Sequence, residues 1–183
     1  MAEETSWETY LIENGRALHG IAQLELDKLL QALVSVRKNN GCVWILGNGG
    51  SASLAAHAVA DFSKTAKSLG GSPLRTLAPS EMTALQTAYS NDESFEMGFA
   101  RTLETYLDSQ DAIIVISVSG RSPNLLRAID AAKAKSATIC AIVGARGEEL
   151  RDHCQSFVLI ESDDYQVVEN TQLSIVHWLT KNL

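Results

Sequence analysis

The chain has 183 residues, 45% of them hydrophobic and 20% charged, which excludes a disordered segment, a collagen-like repeat and a disulfide scaffold. Fifteen basic residues against 22 acidic ones leave a net charge of −7, which opposes the phosphate-neutralising contacts of a nucleic-acid binder. No apolar run approaches the roughly 20 residues that cross a bilayer, and the acidic segment Met1 to Tyr10 is unlike a targeting peptide, so a cytoplasmic protein without a membrane partner is expected.

The length favours a single domain, 1–183, with helices over 1–40 and an α/β core over 41–183. From Glu4 to Arg37, apolar residues such as Leu11, Leu18, Leu26, Leu29, Leu33 and Val36 recur at helical spacing, predicting one long helix or two, with Gly15 and Gly20 as possible breaks. Cys42 to Leu46 is a short, continuous apolar run ending in glycines, the form of a strand buried on both faces. The same form returns at Ala112 to Ile116, Ala137 to Val143 and Phe157 to Ile160, with a weaker candidate at Leu74 to Leu77. An amphipathic stretch from Phe95 to Leu107 and a terminal helix from about Val167 supply covering layers. Strands alternating with helices predict a doubly wound, five-stranded, mainly parallel sheet, with ligands beyond the carboxyl ends of its strands. Cys42, Cys140 and Cys154 are an odd, widely spaced set and read as small core residues.

Two strand-end loops carry the first chemical signal. The first strand runs into Gly47-Asn48-Gly49-Gly50-Ser51 and the third into Ser117-Val118-Ser119-Gly120-Arg121-Ser122-Pro123. Backbone N–H groups at a helix start, with the positive end of its dipole, form an anion site that glycine lets a ligand approach. Pro123 suits the first helical position, which puts Ser122 at the N-cap and lets the hydroxyls of Ser117, Ser119 and Ser122 converge on a phosphate. Serine and glycine are also ordinary turn residues, so it is the pairing of two such loops that points to a ligand. Neither a P-loop lysine nor GxGxxG spacing is present, which favours a small phosphorylated molecule over a nucleotide.

A second signal lies on two predicted helices. His57 and Asp61 stand four apart and share a helix face, a spacing that suits one metal ion but also an exposed hydrogen-bonded pair. Glu169 and His177 fall in VVENTQLSIVHWL, where a buried histidine needs a partner. Eight residues on an ideal helix span about 12 Å, so those two reach a common ion only through extended side chains or an irregular turn.

The segments ILGNGGSASLAAHAVADFSK and ISVSGRSPNLLRAI resemble the SIS (sugar isomerase) domain and, within it, the bacterial phosphoheptose isomerases; the resemblance extends over the whole chain, including the SND tripeptide at Ser90 to Asp92. The resemblance implies aldose/ketose isomerisation of a sugar phosphate, sedoheptulose 7-phosphate to a heptose 7-phosphate, by metal-assisted proton transfer through an enediol or enediolate. It implies a zinc site at His57, Asp61, Glu169 and His177, with Asp61 and His177 also the acid/base pair. Substrate contacts are expected from Gly49, Gly50, Ser117, Val118, Ser119, Ser122 and Glu169, and from Asn48, Ser51, Asn91 and Asp92 toward the sugar hydroxyls; Asn91 and Asp92 equally suit a cap for a helix near Ser94. It also implies a homotetramer with active sites at subunit interfaces.

Four positions depart from the family's usual residues. Asp61 replaces a glutamate, Glu169 a glutamine, Thr65 a basic residue that neighbouring Lys64 could stand in for, and Gln166 an acidic one. The alternatives are an isomerase for another long-chain sugar phosphate and a non-catalytic SIS sensor or adaptor module.

Overall fold

The structure is a computed structural model and describes residues 5–183, so the predicted helix start at Glu4 lies outside the described residues. The N-terminal stretch forms two helices, α1 (Trp7–His19) and α2 (Gln23–Lys38), broken around Gly20. Ser6 caps the first by accepting the Thr9 N–H at 3.1 Å.

Five strands follow: β1 (Cys42–Leu46), β2 (Arg75–Leu77), β3 (Ala112–Ser117), β4 (Thr138–Gly144) and β5 (Ser156–Ile160). They lie in the order β2-β1-β3-β4-β5, and every neighbouring pair is parallel, where a mainly parallel sheet was expected. Each connection carries helix. These are α3 (Gly50–Ala60), which continues through a π-helical turn at Asp61–Thr65 into the short α4 (Ala66–Ser68), then α5 (Thr83–Asp92), α6 (Gly98–Tyr106) and α7 (Pro123–Ala134). Irregular 3₁₀ turns link β4 to β5, and α8 (Tyr165–Asn182) closes the chain, its first turn held by the Asp164 carboxylate accepting from Val167 N–H at 2.9 Å.

The sheet divides the core in two. Val43, Ile45, Ile114, Ile116 and Ile142 point to the face covered by α2, α3 and α8, while Trp44, Leu46, Ile113, Val115 and Ala141 point to α6 and α7. Strands covered on both faces have no reason to alternate, which is why their sequences read as unbroken apolar runs. At the amino end of β3 the buried Asp111 carboxylate accepts from Cys42 N–H at 2.8 Å, Asp108 N–H at 3.0 Å and the Trp44 indole at 3.2 Å. Opposite, at the carboxyl ends of β1 and β3, the chain turns from α3 on one face to α7 on the other. Strand order reverses there, and such a crevice is where this class of sheet binds ligands.

All three cysteines are free thiols. Burial pushes Cys42 up to about 11 and Cys140 up to about 12, and burial likewise raises Cys154 to about 11. They are protonated at neutral pH and serve as packing residues. Among the described residues, no helix is long and apolar enough to cross a membrane.

Candidate active site

The two glycine- and serine-rich turns meet over the ends of β1 and β3, where Leu46 stands opposite Val115. Gly49 has φ +53° and ψ −123°, a conformation open to glycine, and it turns the chain into α3 at Gly50. Among the described residues, no acceptor meets the N–H groups of Gly49, Gly50 and Ser51, so three donors face the crevice at the positive end of α3. Across from them the Ser117 hydroxyl accepts from Gly120 N–H at 3.0 Å and the Ser119 hydroxyl from Arg121 N–H at 3.3 Å. Both hydroxyl protons stay free for a ligand. Ser122 is the N-cap of α7, and its side chain makes no capping bond. Gly120, at φ +65°, cannot carry a side chain, since a Cβ would lie 2.5 Å from the Gly147 Cα.

The result is a cavity of about 300 Å³ lined by Asn48, Gly49, Gly50, Ser51, Ser117, Val118, Ser119, Ser122, Tyr165 and Glu169. The expected phosphate contacts therefore line one cavity. Tyr165 carries no motif and was not expected there. The Asn48 carboxamide, expected to meet sugar hydroxyls, lines the cavity and exchanges two hydrogen bonds with that of Asn124. For Asn91 and Asp92 the structure removes the capping alternative. Helix α5 runs through them to Asp92, so both are exposed at its end and cap nothing; Asn91 donates to the Asp92 carboxylate at 2.8 Å. Ser90 and Phe95, which flank them in sequence, line the neighbouring cavity.

The second cluster forms where α3 passes α8. His57 Nε2 and His177 Nε2 are 3.1 Å apart, His57 Nε2 and Asp61 Oδ2 3.4 Å, and His177 Nε2 and Asp61 Oδ2 3.7 Å. Ligand atoms about 2.0–2.1 Å from a tetrahedral zinc are separated by about 3.3 Å, so this triangle has the size a zinc ion needs. Two imidazoles and one carboxylate are an ordinary donor set for that ion, and three protein ligands leave one position open. The residues fit. The Asp61 side chain is 14% exposed, whereas His57 and His177 are about half exposed at 47% and 49%.

Glu169 is not one of that compact group. Its carboxylate lies against Gly50, where a Cβ would be 2.5 Å from Oε1. It lines both the anion cavity and a second cavity of about 290 Å³ that His57 also lines. A third cavity beyond His57 contains Asp61, His177, Thr65 and Lys181. Lys64 is exposed and outside that cavity, so the basic side chain beside the cluster comes from Lys181 of α8. Neighbouring cavities share a lining residue, Glu169 between the first two and His57 between the last two, so they follow one another as a groove from the serine turn to the imidazoles.

The chain matches the SIS domain over residues 10–144. It is 31% identical to a phosphoheptose isomerase of Campylobacter jejuni over 96% of this chain and 93% of the relative, and 33% identical to one of Burkholderia pseudomallei over 83% and 77%. The solved phosphoheptose isomerase of Neisseria gonorrhoeae superposes with a TM-score of 0.86 at 21% identity, covering 96% of this chain and 95% of that one.

Proposed function

The chain belongs to the SIS domain family and, within it, to the phosphoheptose isomerases, and on that premise we propose that this isomerase interconverts sedoheptulose 7-phosphate and an aldose heptose 7-phosphate. The observation that carries the proposal is the groove joining an anion cradle to a His/His/Asp cluster. Seven residues of α3 separate Gly50 from His57, about 10 Å of helix, so a phosphate at one end leaves the carbonyl end of an open-chain sugar at the other.

In this proposal the N–H groups of Gly49, Gly50 and Ser51 and the hydroxyls of Ser119 and Ser122 hold the phosphate and fix the register of the carbon chain. Glu169, Asn48 and Ser51 border the path of the chain. Isomerisation then needs one proton moved between C1 and C2 and another between their oxygens. Asp61 and His177 carry them. Both imidazole contacts of Asp61 are made through Oδ2, which leaves Oδ1 to take the carbon-bound proton and return it to the neighbouring carbon. His177 Nε2, 3.7 Å from Oδ2, would relay the proton between the sugar oxygens once the substrate has displaced it from the ion, since a metal-bound nitrogen has no lone pair for a proton. His57, Asp61 and His177 are the zinc ligands, with Glu169 bordering the same groove, and a bound divalent ion supplies polarisation of the sugar oxygens.

We assign the active form to a homotetramer with sites at subunit interfaces. This is supported by the half-exposed imidazoles and by an apolar surface on α1 and α2, where Trp7 is 71%, Ile12 59% and Leu24 65% exposed. The free thiols suit a cytoplasmic location. Turnover of sedoheptulose 7-phosphate tests the assignment. Asp61→Ala and His177→Ala are expected to abolish it, and His57→Ala to lose zinc on purification; variants as active as the unmodified protein would remove the cluster from the reaction. Sedimentation at micromolar concentration tests the assembly, and a monomer would refute shared sites.

A further inference from the structure

We propose that Asn124 is a positioning residue that, through a reciprocal amide pair with Asn48, holds the two anion-binding turns in one geometry. The inference rests on reading the serine turn as the phosphate site. Asn48 lies in the turn after β1, immediately before Gly49, and Asn124 is the second residue of α7. Their carboxamides exchange two bonds, Asn48 Nδ2–H to Asn124 Oδ1 at 2.9 Å and Asn124 Nδ2–H to Asn48 Oδ1 at 2.8 Å. Turning over either amide alone would set N–H against N–H and oxygen against oxygen, so the pair holds in a single arrangement.

Position gives the pair its consequence. Asn124 is 1% exposed and does not line the phosphate cavity, so it cannot be a substrate contact there. Asn48 spends its carbonyl and one N–H on Asn124. What the pair does is fasten the start of α3 to the start of α7. Between those two points stand the free N–H groups of Gly49, Gly50 and Ser51 on one side and the hydroxyls of Ser119 and Ser122 on the other. A single anion gains from both helix starts only while they converge, and a site loosened by about 1 Å loses much of its binding. No other side chain joins the two turns directly among the described residues.

The test uses the zinc-loaded enzyme and inorganic phosphate as a competitive inhibitor, read beside KM and kcat for the sugar phosphate. Asn124→Leu is expected to raise both the phosphate inhibition constant and KM about tenfold or more, with kcat changed far less. Asn48→Ala should do the same. The double variant should be no weaker than the worse single, because the pair acts as one unit. Asp111→Asn, at the far end of the sheet, serves as control: it should lower the melting temperature and leave the inhibition constant in place. Should the leucine variant not fold, Asn124→Ala replaces it. A folded variant with the inhibition constant and KM within about twofold of the unmodified enzyme, or penalties that simply add, would overturn the proposal. Absence of phosphate inhibition in the unmodified enzyme would take down the phosphate reading and this inference together.

Discussion

Gly50→Ala separates the stability of the fold from the use of the groove. Gly50 opens α3, and a Cβ there would sit 2.5 Å from Glu169 Oε1, 3.0 Å from Cδ and 3.1 Å from Oε2. Ordinary contact begins at 3.4 Å, so Oε1 must retreat by about 0.9 Å. The obstacle is the end of a flexible side chain, whose displacement costs about 0.5–1.5 kcal/mol if it leaves a rotamer well. Against that, alanine is favoured over glycine in a helix by roughly 0.5–1 kcal/mol. The two nearly cancel. At roughly 2–4 °C per kcal/mol for a domain of this size, the melting temperature should move by no more than about 4 °C. The same methyl group pushes Glu169 off the junction between the cradle and the imidazole cavity and narrows the approach to the α3 donors. KM for the sugar phosphate should therefore rise by about tenfold, with kcat also reduced. Gly120→Ala gives the contrast. Its φ of +65° and a Cβ 2.5 Å from the Gly147 Cα present a backbone that cannot swing away. The left-handed conformation alone costs about 1–2 kcal/mol, and the melting temperature should drop clearly. Steady-state kinetics beside thermal unfolding decides. If Gly50→Ala keeps full kcat and KM, or melts as early as Gly120→Ala, the account of Glu169 and the cradle is wrong.

Replacing Asp111 by alanine removes one acceptor from three donors at once, two of them main-chain N–H groups near the ends of strands. A loss of about 3 kcal/mol in chemical denaturation is expected, with kinetics of the remaining folded enzyme unchanged; a loss below about 1 kcal/mol would show that water replaces the carboxylate. The pair Ser119→Ala and Ser122→Ala should raise KM and spare kcat, whereas a fall in kcat at constant KM would move these hydroxyls from phosphate binding to the chemistry. Alkaline unfolding follows from the thiols. Burial raises their folded pKa, Cys140 to about 12 from an ordinary 9.0, so the folded state holds protons that the unfolded chain releases. Their contribution is complete below about pH 9 and is lost as pH climbs toward 12; a Cys140→Ala variant with the same alkaline slope would exclude that thiol as the cause.

The long apolar strands were legible because a sheet covered on both faces leaves them no polar side, and β1, β3, β4 and β5 fall within a residue or two of expectation. β2 is harder to see: it has three residues and only Thr76 buried. The serine turn was legible from residue type, since Pro123 fixes the helix start and Gly120 occupies a conformation open to glycine. Pairing of Asn48 with Asn124 was not, because two amides 76 residues apart become neighbours only through the register of β1 and β3. Nor does DFSKT announce a π turn, although Ala66 N–H bonds the Asp61 carbonyl five residues back. The cap reading of Asn91 and Asp92 misled because a short polar tripeptide before Ser94 suits a helix start, while the structure continues α5 through it.

The eight-residue spacing of Glu169 and His177 resolves once the helix pair is considered as a whole. In a doubly wound sheet the helices on one face run in the same direction, so α3 and α8 lie side by side in parallel. Glu169 meets Gly50 at the start of α3, and His177 meets His57 near its end. Seven residues on one helix and eight on the other advance about 10 and 12 Å, so these are two rungs of one ladder. Gln172 fixes α8 between them, its side-chain amide donating to the Ser117 carbonyl at 3.2 Å and the Ile142 carbonyl at 2.9 Å. The helix that presents His177 is thus bolted to the strand end from which the serine turn departs. A shift of α8 would move both rungs against the cradle together, which ties the place of the phosphate to the place of the groups proposed to move protons.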